Sequence, residues 1–275
     1  MSATAYTAAP PWPSFRWLHG YRELLMTFLR RELRAKYKGS ALGVLWSYLY
    51  PLFMMGVYTL VFSYLVHAVR VPHYALFVLS GLAVWTFFQG AVQLGAASIV
   101  GNGTVIKQVW FPRELVPLAV VLAQGLSSLV MFVVLIPVNI AVVPHTASTV
   151  ALALPILVCL GCLAIGLSWA LSTAVVFFRD VEHLLSVFFL PWFFLTPVLY
   201  GLDQIPNAET HPILIPLLRY FNPVAPYVES IRGVILQGQV PGPGLLVYVF
   251  VVGPVVALLG LWIFQRFEDQ LAVEL

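Results

Sequence analysis

The sequence predicts an all-α integral membrane protein with six transmembrane helices, an N-terminal amphipathic interfacial helix and external re-entrant helices before the last span. Three observations predict it. Of 275 residues, 61% are hydrophobic and only 9% are charged, too little polar surface to coat a soluble globule of this size. Six uncharged stretches approach or exceed the roughly 20 residues that a helix needs to cross a hydrocarbon core: 41–66, 74–100, 115–143, 150–178, 184–202 and 244–265. Lys and Arg are also unevenly divided. With alternating spans and a cytoplasmic N-terminus, eleven fall inside and three (Arg70, Arg219, Arg232) outside, which puts both termini in the cytoplasm.

The chain divides into residues 1–40, a cytoplasmic N-terminal segment with its interfacial helix, and residues 41–275, the membrane domain. The first apolar run begins only at residue 41, is too long for a signal-peptide core and follows Arg-rich sequence, so it reads as a retained span. Just before it, FLRRELRAKYKGS (28–40) holds Arg30, Arg31, Arg34, Lys36 and Lys38. On a helix over 21–37, Tyr21, Leu24, Leu25, Phe28, Leu29 and Leu33 share one face and the charges lie largely opposite, the pattern of a helix in the membrane interface. Glu32 and Lys36 are spaced for an i,i+4 ion pair. Gly39 and Ser40 then let the chain turn. Two readings of the cluster stand: a topology signal that also anchors lipid headgroups, or a site that meets an anionic substrate headgroup.

Aromatic residues gather in the first span (Trp46, Tyr50, Phe53, Tyr58) and the fifth (Phe189, Trp192, Phe193). They serve either helix packing or a lining on which sugar rings slide, since a conduit must bind weakly at many points. Between the second and third spans, Thr104 is placed to cap a short helix over about 104–112, with Val105, Ile106, Val109 and Trp110 apolar and Pro112 as its stop. Such a helix outside the bilayer has two readings: it enters a protein groove, or it is an ordered loop lying against the headgroups. Beyond the fifth span, the stretch at about 203–240 alternates apolar pieces with prolines, which suits short helices dipping back from the outer face.

Several function classes are disfavoured. The six stretches contain no Asp, Glu, Lys or Arg, whereas ion-coupled transport needs ionisable groups inside the membrane. None of the three lysines follows a glycine, so a P-loop is excluded and ATP must be handled elsewhere. Cys159 and Cys162 have no nearby histidine to build a metal site, and no metal or catalytic residue is expected. The loop Arg179, Asp180, Glu182 and His183 could hold a membrane enzyme's acid–base groups, but a charged loop joining two helices is the commoner arrangement.

The stretches LRAKYKGSALGVLWSYLYP (33–51), VIKQVWFPRELVP (105–117), FFRD (177–180), TPVLY (196–200) and Asn222-Pro223 followed by Arg232 occur in one order along the chain. Each is weak alone. As a set it resembles the membrane subunits of type 2 ABC transporters, in the branch that exports O-antigen, capsule, wall teichoic acid and mycobacterial galactan. The resemblance implies a homodimer in the bacterial plasma (inner) membrane, joined to two copies of a cytoplasmic ABC ATPase that binds MgATP. No cofactor is implied in this chain, and no nucleic acid. The substrate implied is a polyprenyl-diphosphate-linked polysaccharide; a drug or lipid exporter of the same family is the alternative. Arg30, Arg31, Arg34, Tyr37 and Lys38, with Gly39 and Gly43, would lie where the carrier pyrophosphate is admitted. Ile106, Lys107, Trp110, Phe111, Pro112, Arg113 and Glu114 would couple to the ATPase, with Arg179 and Asp180 at a second contact. Asn222, Pro223 and Arg232 would lie in the outer re-entrant helices.

Overall fold

The computed structural model describes residues 20–65, 71–205 and 213–274, so the N-terminal nineteen residues, Arg70 and part of the 203–240 region lie outside the described residues. Among the described residues the structure is helical, without strands. Helix α1, Arg22–Tyr37, matches the expected amphipathic helix and buries Phe28 and Leu29. The chain then reverses at Gly39 and Gly43, whose φ angles of 76° and 48° fall where side chains with a Cβ are strained. A 3₁₀ turn, Gly43–Leu45, leads into α2, Trp46–Thr59, which a π turn extends to Leu65. Next come α3, Tyr74–Gly101, the short α4, Gly103–Gln108, and α5, Leu115–Val142. They are followed by α6, Ala153–Phe177, and α7, Asp180–Leu195. Two short helices, α8 (Leu214–Pro216) and α9 (Ala225–Arg232), each run on into a π turn before α10, Pro243–Glu274.

Among the described residues, five helical stretches are long and apolar enough to cross a membrane: Gly43–Leu65, Tyr74–Gly101, Leu115–Val142, Val150–Phe177 and Pro243–Leu271. The expected span at 184–202 is helical only as the 16 residues of α7, about 24 Å at 1.5 Å per residue. Its stop has a local cause. Thr196 precedes Pro197 and sits in the extended region, φ −86° and ψ 134°, because the proline ring excludes a helical residue before it. Pro191, by contrast, is carried inside the helix.

Helix α3 is the centre of the bundle, in contact with α2, α5, α6, α7 and α9. Of its most apolar stretch 72% is buried, against 6% for the first span, so α2 is held on one side only. The tightest seam joins α6 to α10. A Cβ on Gly166 would strike the Val256 carbonyl, one on Gly260 the Gly166 carbonyl, and one on Gly253 the Cys159 carbonyl. Small residues let the two backbones approach closely, which is how helices associate where lipid removes the hydrophobic drive.

Candidate functional site: an elbow cleft and an anchored loop

Where α1 turns into α2, hydroxyl and amide groups converge. Tyr37 Oη lies 2.8 Å from Ser47 Oγ and donates to Ser127 Oγ at 3.0 Å, tying α1, α2 and α5 together. Lys36 Nζ donates to Gln124 Oε1 at 2.6 Å; the expected pairing with Glu32 is not made, because the ammonium turns across to α5 and Glu32 accepts from Arg31 instead. These groups border a cavity of about 410 Å³ whose lining includes Lys36, Tyr37, Trp46, Tyr50, Gln124 and Ser127. Of the expected elbow residues, Tyr37 reaches the cavity, while Arg30, Arg34 and Lys38 stand exposed on or beside α1. Gln124, Ser127 and Ser128 were not expected here. Their i, i+3, i+4 spacing in a largely apolar span was the available signal, since it puts three polar groups on one helical face.

Arg31 has a different setting. Its guanidinium lies 5.1 Å over the Phe28 ring and donates to Asn102 Oδ1, at the junction of α3 and α4. Phe28 in turn packs on Phe111 at 5.4 Å. The loop from 102 to 114 is therefore seated on α1 at both of its ends. Helix α4 begins at Gly103, with Asn102 at its cap position, two residues ahead of the expected Thr104. The Asn102 carbonyl already accepts from the amides of Val105 and Ile106, and Thr104 is left exposed. It ends at Gln108, before Pro112 is reached, because Val109 is extended.

The expected loop residues fall into two sets. Ile106 and Phe111 are buried, and so is Glu114. Lys107 is exposed, and Trp110 retains 77% of its surface at the tip, beside an exposed Val109. Glu114 is held by its backbone carbonyl, which accepts from Trp169 Nε1 at 3.0 Å, and by Oε1, which accepts from Gln265 Nε2 at 3.0 Å. Burial pushes its carboxyl above the usual carboxylate range. The Arg113 amide donates to Glu268 Oε1 at 3.4 Å and its guanidinium to the Glu268 backbone carbonyl. Pro112 is half-buried between Phe111 and Arg113. Arg179 and Asp180 are exposed at the start of α7, where an acidic residue suits the helix dipole.

The aromatic residues separate in the same way. Phe189 and Phe193 are buried, and with Trp192 they pack on Trp85 and Phe88 of α3. Ring centroids are 5.6 Å apart for Trp85 and Phe193, and 5.3 Å for Phe88 and Trp192. Tyr58 stacks on Phe193 at 5.9 Å. Trp46, Tyr50 and Phe53 are exposed on α2, Phe53 by 70%.

At the opposite end, Asn222 joins α7 to the start of α9. Its Oδ1 accepts from Trp192 Nε1 at 2.9 Å and from the Val224 amide at 3.1 Å, and its Nδ2 donates to Thr196 Oγ1 at 2.8 Å. Pro223 follows within this turn. Arg232 is buried over the Phe77 ring at 3.5 Å and donates to the carbonyls of Phe77, Pro197 and Val198. The TPVLY stretch thus supplies the carbonyl cage of an arginine from another element, an arrangement that spacing along the chain does not reveal.

The long apolar helices, with a polar cleft at one elbow and a braced loop beside it, define a multi-pass membrane protein. The ABC-2 type transporter family matches residues 23–236, and the chain belongs to that family. Over nearly its whole length it is similar to the O-antigen export system permease protein RfbA of Klebsiella pneumoniae, with 30% identity over 256 residues that cover 91% of this chain and 94% of that protein. It is also similar to the O-antigen export system permease protein RfbA of Myxococcus xanthus, with 29% identity over 258 residues covering 94% of this chain and 97% of that protein.

Proposed function

We propose that this chain is the channel-forming permease half of an ATP-driven exporter that moves a polyprenyl-diphosphate-linked polysaccharide from the cytoplasm across the bacterial plasma membrane. Two copies assemble with two copies of a separate ABC ATPase, which binds MgATP. Helix α7 completes a set of six spans, α8 and α9 are the outer re-entrant helices, and both termini lie with the 102–114 loop in the cytoplasm. The single observation that carries the mechanism is Trp110: an indole 77% exposed on a loop braced by Ile106, Phe111 and Glu114 is an apolar contact awaiting a protein groove. The chain's similarity to O-antigen export permeases supports a polysaccharide as cargo.

The cleft beside Lys36 and Tyr37 suits the diphosphate of the carrier. One ammonium and a set of hydroxyls can donate to phosphate oxygens at the membrane surface, and Arg30, Arg34 and Lys38 raise the local concentration of anions. The exposed aromatic face of α2, with Trp46, Tyr50 and Phe53, offers sugar rings repeated shallow contacts, while Phe189, Trp192 and Phe193 form the layer that fixes α7 behind it. Arg179 and Asp180 give the ATPase a second contact.

Reconstitution of the chain with its ATPase in liposomes tests the proposal. ATP-dependent loss of lipid-linked polysaccharide from the loading side is the expected result. Transport of a small amphiphile or phospholipid, with polysaccharide left in place, would assign the drug or lipid branch instead. ATP turnover by the isolated chain would overturn the division of labour.

A further inference from the structure

The 102–114 loop is tied to a helix more than 150 positions later in sequence. Gln265 and Glu268 stand three apart on α10, hence on one face. Gln265 donates to the buried Glu114 carboxylate, and Glu268 receives the Arg113 amide on its side chain and the Arg113 guanidinium on its backbone. Arg113 and Glu114 are thereby clasped in turn by successive positions of the last helix. The Trp169 indole, from α6, holds the Glu114 carbonyl on the other side. Helices α6 and α10 are themselves packed closely along the seam at Gly166, Gly253 and Gly260, where backbone meets backbone. Among the described residues no comparable hydrogen bond joins the loop to α2 or α7. Its contact with α1 is the aromatic pair Phe28 and Phe111 and the Arg31 to Asn102 bond.

One oxygen is left over. Glu114 Oε2 is buried without a hydrogen-bond partner among the described residues, an expensive condition for a carboxyl group whose role is packing alone.

We propose that Gln265 and Glu268 are positioning residues for coupling: they fasten the 102–114 loop to the α6–α10 pair, so that a push on Trp110 moves loop, α6 and α10 as one body. The inference rests on the reading that this loop receives the ATPase. The one-sided contacts of α2 make it the element left behind when that body shifts, and the motion opens along the α2 side of the bundle rather than between α6 and α10.

The test uses the full chain in lipid nanodiscs, alone and with its ATPase, as wild type, as the double variant Gln265→Ala and Glu268→Ala, and as Glu268→Gln, which keeps an acceptor for the Arg113 amide. In the chain alone, hydrogen exchange over residues 103–114 should quicken in the double variant and return close to wild type in Glu268→Gln. With the ATPase bound, the double variant should keep hydrolysing ATP while polysaccharide exported per ATP falls by on the order of tenfold. Wild-type exchange in the double variant overturns the anchoring. An unchanged ratio of export to hydrolysis overturns the coupling role, including the case in which both fall in parallel, as they would for residues that only stabilise the fold. The exchange measurement needs no ATPase, so its failure is distinct from a failure of the transporter assignment.

Discussion

Arg31 and Arg34 lie one turn apart on α1, yet the fold employs them differently. Arg31 is engaged by Asn102, Glu32 and the Phe28 ring, whereas Arg30 and Arg34 have no side-chain partner among the described residues. Reversing charge at Arg30 and Arg34 should therefore lower export of the lipid-linked polymer while membrane insertion and ATPase assembly stay intact, as read from transport and co-purification of the double Glu variant. Arg31→Glu should do more, because it also releases the start of the loop. Charge pattern made the cluster legible; it could not say which arginine is already satisfied inside the protein. Glu114 gives a prediction of opposite sign to most carboxylates. Its neutral form is favoured in the folded chain, so its contribution is fully present below the ordinary carboxylate range and is lost as pH rises through the elevated folded value. Thermal unfolding in detergent, followed from acid to neutral pH, should show that loss. Glu114→Gln keeps the buried shape without the charge and should reduce it, leaving what the neighbouring Glu268 contributes.

Among the elements, α7 departs furthest from its expected form. Composition and hydropathy were enough to recover α3, α5, α6 and α10, because a long apolar run has no alternative to a helix in lipid. They could not recover where α7 stops, since that depends on one dipeptide, Thr196-Pro197, and on Asn222 reaching back to receive the helix end. Nor could they say which side of α7 meets α3. The aromatic residues at 188, 189, 192, 193 and 194 cover most of the helix circumference, and it is Trp85 and Phe88, with Tyr58 on Phe193, that receive Phe189 and Phe193 on the inner side. This separates two substitutions that look alike on the sequence. Phe193→Ala empties a packed site and should cost about 3–5 kcal/mol of stability, seen as a lower unfolding midpoint and reduced yield. Phe53→Ala removes a ring that is 70% exposed, so stability should change by no more than about 0.5 kcal/mol while polymer transport changes. Wild-type export rates in Phe53→Ala would remove α2 from the conduit.

At the scale of the whole molecule, buried and exposed apolar surface are distributed with a direction. The α3, α6 and α10 region is closed by rings and by backbone-to-backbone contact, while only 6% of the most apolar stretch of the first span is fully buried within the subunit. Lipid can cover such a face, and a second copy can do so as well. Trp110 lies elsewhere, on the 102–114 loop, beyond the end of α3 and before the start of α5. That position makes Trp110 the sharpest probe of how the molecule is driven. Its side chain makes little contact with its own subunit, so Trp110→Asp should leave the unfolding midpoint of the isolated chain unchanged. In a groove on the ATPase the same change buries a charge without a partner, a penalty on the order of several kcal/mol even after relaxation. Co-purification with the ATPase should fall steeply and ATP-dependent export should vanish with it, whereas Trp110→Phe, which keeps an aromatic body, should retain both in part. A variant that no longer binds the ATPase yet still melts as the wild type would fix the loop as a docking element; ATPase binding undiminished in Trp110→Asp would move the drive to some other surface, with Arg179 and Asp180 next in line.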